Sequence, residues 1–389
     1  MRIIELTELQ FKNYSNIHSK KNYKQSIEYA TLKQDNGYRV LYLGLIDDDD
    51  NVHVACLLLE KRTNSKFKYG IVPNGFLIDY NNTDLLKLFT DELKKYLKSL
   101  NYIFLRINAL YDYQVLSNSF SVKENNTGII NTFRDLDYNL IDNSSKYRVV
   151  INSNNISDTY KNFKRGFRRD INECLKKGIS IYQGDDEDLN NFIDLIDNKK
   201  YFTNMYNLFK TNNKFEIYFA KLNPDIYVNN YRFLLKNEQS NNDNLNNMLK
   251  NPNVKKTDNL LNKKMTSDNL ITLYSNEIIK ATNIYRDYPE GVILGTVGIV
   301  NNRKDITFLV EGFNPKFSEI KVSPLIKWEI IKKYMSIGYN SFILGNINIS
   351  KDYNLKLGYN GDVVEYQNTF DLVINEMLYK LNNYSKKDI

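Results

Sequence analysis

From about Asn229 to Tyr285 the chain changes character: Asn, Lys and Leu crowd the stretch, and β-branched residues are scarce until Ile271. Leu234, Leu235, Leu245, Leu249, Leu260, Leu261, Leu270 and Leu273 recur at roughly helical intervals. Pro252, inside Asn251-Pro252-Asn253, marks a break, because proline has no N–H to donate and its ring clashes with the preceding turn. The spacing predicts two long polar helices folded back on each other as an antiparallel helical arm over 229–285. A disordered linker is the bland alternative for so polar a composition.

On either side the pattern is mixed α/β. Residues 1–40 read as helical. Tyr38–Ile46 and His53–Glu60 read as strands joined by the acidic turn Asp47–Asn51. Phe67–Tyr80 carries the turn Pro73-Asn74-Gly75 between extended segments. Leu85–Leu100 has the leucine spacing of an amphipathic helix, and Tyr102–Ile107 reads as a buried strand. The later flank repeats the theme. Tyr147–Ile151 is a strand, Asp158–Lys177 a basic helix stopped by Gly178, Ile179–Tyr182 a strand, and Leu189–Ile196 opens a helix. Val292–Val300 and Asp305–Glu311 form a hairpin across Asn301-Asn302. Ser323–Ile337 is a helix ended by Gly338, and Ser341–Leu344 a strand. The 389 residues suggest two or three domains, and 42% hydrophobic with 25% charged residues is ordinary for a globular chain.

The chemistry available is narrow. The four residues His18, His53, Cys56 and Cys174 are scattered, so neither a zinc site nor a disulfide framework is expected. Neither histidine sits in a nucleophile motif. No GxxxxGK[ST], GxGxxG or acetyl-CoA pyrophosphate loop occurs, and neither a cofactor nor a metal is expected. There is no signal-peptide pattern and no apolar run near the ~20 residues that span a bilayer. A cytoplasmic protein is the expectation, with peripheral contact at the inner membrane face left open. The net charge of +7 is compatible with a polyanionic partner and does not demand one.

Three basic features invite a functional reading. Lys161–Arg169 gathers five positive charges, with Lys164 and Arg168 at i and i+4, where like charges repel and an anion such as RNA backbone would relieve them. A solvated basic face is the bland alternative. Lys356 stands in Asn354-Leu355-Lys356-Leu357-Gly358-Tyr359-Asn360-Gly361, between apolar residues and turns, where it would be a cleft-rim lysine or an exposed strand-end one. Lys33 ends the helix Gln25–Lys33, where a cation also suits the helix dipole alone.

Together these pieces resemble the Fem family of peptidoglycan-bridge aminoacyltransferases. Gln25–Lys33 resembles the family's Q-S-x-x-W-x-x-x-K, with Tyr29 for Trp. Pro73–Phe76, followed by Leu77–Tyr80, resembles its P-R-G-P turn. Arg168, Ile171, Lys176 or Lys177, Gly178 and Ile179 resemble R-x-x-I-x-x-A-x-K-x-G-V. Trp328–Ile331 with Gly338-Tyr339 resembles its late W-x-x-I…G-Y. Leu355–Tyr359 and Phe370–Asn375 resemble F-K-x-G-F…F-D-L-P-I-N, the most specific match.

The resemblance implies two acetyltransferase-like (GNAT) domains, 1–146 and 147–228 with 286–389, plus the 229–285 coiled-coil arm. It implies transfer of an amino acid from aminoacyl-tRNA to an amino group of a nucleotide- or lipid-linked peptidoglycan precursor, with a homologous Fem partner also in view. Carried over by position, Lys356 is the catalytic residue. It would stabilise the oxyanion that grows as an amine attacks the ester, an effect on the order of 3–4 kcal/mol. Lys33 would contact precursor phosphate, and Asn74, Asn108, Lys164, Arg168 and Tyr359 would complete the substrate contacts. Three positions depart from the family pattern: Asn74 replaces Arg, Asn108-Ala109 stands where Asp-Pro is common, and Phe202 falls where an Arg is usual. They keep two alternatives in view, a catalytically silent binding protein and an acyl-CoA-dependent N-acyltransferase.

Overall fold

The computed structural model describes residues 1–19, 21–63, 66–142, 146–251, 257–302, 305–347 and 356–381. The strands are β1 (Arg2–Glu5), β2 (Arg39–Ile46), β3 (Val52–Arg62), β4 (Lys68–Val72), β5 (Tyr102–Leu116), β6 (Val122–Asn125), β7 (Tyr138–Asp142), β8 (Lys146–Asn152), β9 (Ile179–Gln183), β10 (Phe215–Leu222), β11 (Val292–Asn302), β12 (Asp305–Phe313), β13 (Ser341–Ile347) and β14 (Asp362–Val373). The helices are α1 (Glu8–Ile17), α2 (Ile27–Gln34), α3 (Thr83–Ser99), α4 (Gly128–Asp135), α5 (Ile156–Asn162), α6 (Arg165–Lys176), α7 (Leu189–Leu195), α8 (Lys199–Phe209), α9 (Pro224–Lys250), α10 (Asp258–Asp287), α11 (Ser323–Ser336) and α12 (Glu376–Leu381).

All described strands join one sheet in the order β1-β2-β3-β4-β5-β14-β8-β13-β12-β11-β10-β9, with β6 on β5 and β7 on β14. The two halves follow the same plan. The antiparallel run β2-β3-β4 leads through α3 to β5, parallel to β4. The antiparallel run β10-β11-β12 leads through α11 to β13, parallel to β12. A parallel neighbour needs a crossover, and the helix supplies it. The crossover helix α3 starts at Asn82, whose side chain accepts from the Leu85 N–H at 3.1 Å, and it buries Leu86, Phe89, Leu93 and Leu97 on one face. Each such burial contributes about 1.5–3 kcal/mol.

One late strand closes the seam between the halves. β14 pairs with β5 on one side and β8 on the other. There Arg106 grips Asp371 through two bonds of 2.8 Å, and the Tyr379 hydroxyl donates to the same carboxylate at 2.6 Å. A bidentate guanidinium–carboxylate pair is geometrically exacting, which locks the register here.

Helices α9 and α10 pack antiparallel: Tyr231 meets Tyr274, and Asn242 donates to Ser267 at 3.0 Å and Asp268 at 2.8 Å. They run beyond the expected 229–285 at both ends. Of the eight leucines that signalled them only Leu245 is buried, while Leu261 and Leu273 are exposed. The seam is partly polar. The turn residues Pro252 and Asn253 lie outside the described residues, as do Asn354 and Leu355.

Several expectations need correction. Arg2–Glu5 is an edge strand rather than helix, because Ile3 is buried by pairing along β2. Asp158–Lys177 is two helices, not one. The chain is extended at Phe163 (ψ 142°) and Lys164 (ψ 145°), where the Lys164 N–H donates to the Gly358 carbonyl at 2.8 Å. That long-range bond and the burial of the Phe163 ring outweigh local helical preference. Asn301 and Asn302 pair within the hairpin instead of turning it. Helix α8 and strands β10 and β14 carried no sequence expectation, and β5 runs nine residues past Ile107, ending at Leu116.

Candidate functional site

Gln25 explains how one wall of the site is built. Its side chain is 1% exposed. Its amide donates to the Pro73 carbonyl at 2.7 Å and accepts from the Leu57 N–H at 2.7 Å. Ser26 then caps α2 by accepting from the Tyr29 N–H, and Tyr29 is buried. Asn22 caps the short turn before them and accepts from Asn74, which sits in left-handed backbone (φ 59°). The Q-S-x-x-Y spacing is thus a staple, a cap and a core anchor that hold Tyr23 and Lys24 in place.

Those residues face a cavity of about 710 Å³ between the halves of the sheet. The first half supplies Lys21, Asn22, Tyr23, Lys24 and Asn74. The central strands supply Asp112, Arg148 and Tyr366; β12 and β13 supply Asp305, Thr307, Glu311 and Asn346; α11 supplies Lys327. Lys356 completes the lining. Strand β13 bulges between Ile343 and Asn346 through Gly345, whose φ of +89° suits glycine. At this bulge the Asn346 carbonyl accepts from Lys356 Nζ at 2.6 Å, and the Asn346 side chain accepts from the Tyr366 hydroxyl.

Charge in the cavity is paired with care. Lys327, 3% exposed, meets Glu311 at 2.8 Å, and Ser323 donates to the same carboxylate at 3.0 Å. Burial alone would push the Glu311 carboxyl up, but Lys327, Ser323 and the charge of Lys356 hold it below the usual carboxylate range. Arg148 donates to Asp112 at 2.6 Å and stacks over Tyr366 at 4.7 Å, while its Nε is buried without a hydrogen-bond partner. Burial lowers the Lys24 ammonium, and the nearby charges of Lys33 and Lys146 lower it further.

Of the residues expected from sequence, Lys356 and Asn74 line the cavity; Lys33, Asn108, Lys164, Arg168 and Tyr359 are not part of that lining. Lys33 lies over the rings of Tyr29 and Tyr38 at 5.4 and 5.9 Å, and burial lowers its pKa. Asn108 is engaged on β5, donating to Thr369 at 3.0 Å. Lys164 is exposed at the start of α6, and Arg168 is half-buried one turn on. Tyr359 is a core residue, donating to the Ser323 carbonyl at 3.2 Å; burial raises its pKa far above that of a free phenol. It packs edge-on against Phe163 and Phe167. A Cβ on Gly358 would collide with the Phe167 ring, so glycine is required beside Tyr359. Phe202 is buried against Phe192 and Phe215 in the core.

The residues missed from sequence are Asp112, Arg148, Asp305, Glu311, Lys327 and Tyr366. They come from four strands and one helix, with Asp305 and Glu311 sharing β12, and no spacing rule links the elements. Among the described residues no helix is long and apolar enough to cross a membrane, and no cluster of His, Cys, Asp or Glu is placed to hold a metal ion.

Comparison with known proteins gives a consistent result. The pattern of the FemAB family matches residues 6–387. Aminoacyltransferase FemA of Staphylococcus epidermidis is 25% identical over 419 aligned residues, covering 100% of this chain and 99% of that protein. Aminoacyltransferase FemA of Staphylococcus aureus is 30% identical over 107 residues, 28% of this chain and 26% of that one. The crystal structure of FemX superposes with a TM-score of 0.73 at 17% identity, covering 98% of this chain and 99% of that one, so the fold is shared.

Proposed function

The chain belongs to the FemAB family, and from that premise we propose that it is an aminoacyltransferase. It moves an amino acid from aminoacyl-tRNA to an amino group of a peptidoglycan precursor, building the bridge between stem peptides. The observation that carries this reading is the Lys356 ammonium, held by the Asn346 carbonyl in the wall of a cavity to which both halves contribute.

Attack of an amine on the ester linking amino acid to ribose turns the carbonyl oxygen into an oxyanion. A fixed cation beside that oxygen stabilises the transition state more than the ground state. No covalent nucleophile is required, which suits a cavity lined by neither His nor Cys among the described residues. The Lys24 ammonium feels Lys33 and Lys146 as like charges, and neither Lys24 nor Lys33 has a carboxylate in ion-pair range among the described residues. They form the seat for the precursor's phosphates, with Asn74 beside it. The exposed start of α6, with Lys164 and Arg168, takes RNA backbone; its tie to Gly358 sets it next to the Lys356 segment. In this reading Asn108 and Tyr359 support the walls and do not touch substrate.

The test is transfer by the purified protein, supplied with unfractionated charged tRNA and either a nucleotide-linked or a lipid-linked precursor. A mass gain of one amino-acid residue on the stem is expected. No gain with any amino acid and either precursor would sink the proposal.

A further inference from the structure

An amine acceptor reaches such a site as an ammonium, which has no lone pair and cannot attack. Some group must take its proton. Three carboxylates line the cavity among the described residues: Asp112, Asp305 and Glu311. Asp112 is engaged by Arg148 at 2.6 Å, and Glu311 by Lys327 at 2.8 Å and Ser323 at 3.0 Å. Asp305 takes a hydrogen bond from Ser341 and, among the described residues, enters no ion pair. We infer that Asp305 is the base that deprotonates the incoming amine; the inference rests on the aminoacyl-transfer reading above.

Its position fits. Asp305 opens β12, and the strand continues through the cavity wall from Thr307 to Glu311, with a bulge at Leu309 where the pairing with β11 slips by one residue. A Cβ built on Gly345 would lie 3.4 Å from the Phe308 carbonyl oxygen and 3.5 Å from Lys356 Nζ. The catalytic ammonium therefore stands beside the third residue after Asp305, roughly 10 Å along the strand at about 3.3 Å per residue. An ester carbonyl held by the lysine, with an amine at attack distance of about 3 Å on its far side and a hydrogen bond from that amine, spans close to this length. Around Asp305 stand Arg148 and Asp112 from the central strands and Ser341 from β13. Burial raises the carboxyl's pKa and the Asp112 charge adds to it, while Ser341 and Arg148 oppose; the net shift is upward, toward a better base.

The step balances. The ammonium gives one proton to the Asp305 carboxylate, which passes it to solvent. The neutral nitrogen forms a bond to the ester carbon, the carbon–oxygen bond to ribose breaks, and the second nitrogen proton ends on the ribose oxygen. The products are an amide, a free hydroxyl and one released proton.

The pH dependence of kcat/KM for wild type and Asp305→Asn tests this. Wild type should be flat between the Asp305 pKa and that of the amine. The variant, restricted to acceptor that is already neutral, should be about 10²-fold slower at pH 7 and rise tenfold per pH unit over the same range. Asp305→Glu should restore the plateau with its acid limb moved to the new carboxyl. Parallel profiles for wild type and Asp305→Asn would overturn the proton role alone. If Asp305→Asn does not fold, an acid limb that stays put in Asp305→Glu overturns it equally. Absence of transfer by wild type would sink the transferase reading and this inference with it.

Discussion

Arg106–Asp371 and Lys327–Glu311 are both ion pairs closed at 2.8 Å with the cation out of water, yet their carboxylates differ. Asp371 is 0% exposed, sealed beneath α12 with every oxygen engaged by Arg106 or Tyr379. Glu311 keeps 32% of its side-chain surface and faces the cavity, close enough to feel the charge of Lys356. The same chemistry serves two ends. At the seam it fixes strand register between the halves. At the cavity it sets a permanent negative charge near the ammonium assigned to the oxyanion. A buried pair is costly to break and adds little net stability, so its placement is more informative than its existence.

That contrast can be broken experimentally. Asp371→Ala leaves Arg106 buried and unpaired, and should cost about 3–5 kcal/mol in urea unfolding. A loss under about 1 kcal/mol would mean the seam does not depend on this pair. Lys356→Ala should behave oppositely, with kcat down about 10²–10³-fold, or roughly 2.7–4 kcal/mol of transition-state stabilisation, and an unchanged unfolding midpoint. A variant that loses stability in step with activity would make Lys356 a packing residue. Glu311→Gln keeps shape and hydrogen bonds but leaves Lys327 without its counter-charge, so about 1–3 kcal/mol of stability should go, less than at Asp371 because the cavity admits water.

The smallest effect concerns the helical pair α9–α10, which a third ion pair ties to the body. Lys177 and Tyr227 both donate to Glu277. Burial would raise the Glu277 carboxyl, but Lys177, Tyr227 and Lys280 hold it down at about 2 from an ordinary 4.5. A depressed folded-state pKa gives a contribution that is complete above about 4.5 and is lost as pH falls through about 2. Protection against hydrogen exchange in α9 and α10, taken relative to the intrinsic rate at each pH, should therefore fall across that window in the wild type. In Glu277→Gln that protection should be low at neutral pH already and should not fall further on acidification.

Much of the local structure was legible beforehand, for identifiable reasons. The leucine period of α3 reports one buried face, and Gly338 (φ 94°) ends α11 where a left-handed residue is needed. The split between α5 and α6 was not legible, since Gly358 reaches Lys164 from almost two hundred residues away. Lys33 was singled out by spacing, but the side chain in the cavity wall is Lys24, because the Gln25 staple aims the turn before the helix. Phe202, read as a lost arginine, lies in the core.

Periodicity and turn chemistry depend on neighbours within a few positions, so the amino-acid order alone determined elements such as β2, β3, α3 and α11 in the flanks and the helical character of the arm itself. Which strand lies beside which is decided by long-range pairing, and that pairing put β14 between β5 and β8 and drew Asp112, Arg148, Asp305 and Lys356 around one cavity. A carboxylate's role depends on whether a cation reaches it, and only the folded chain brings Lys327 to Glu311 and Arg148 to Asp112 while leaving Asp305, among the described residues, without an ion pair.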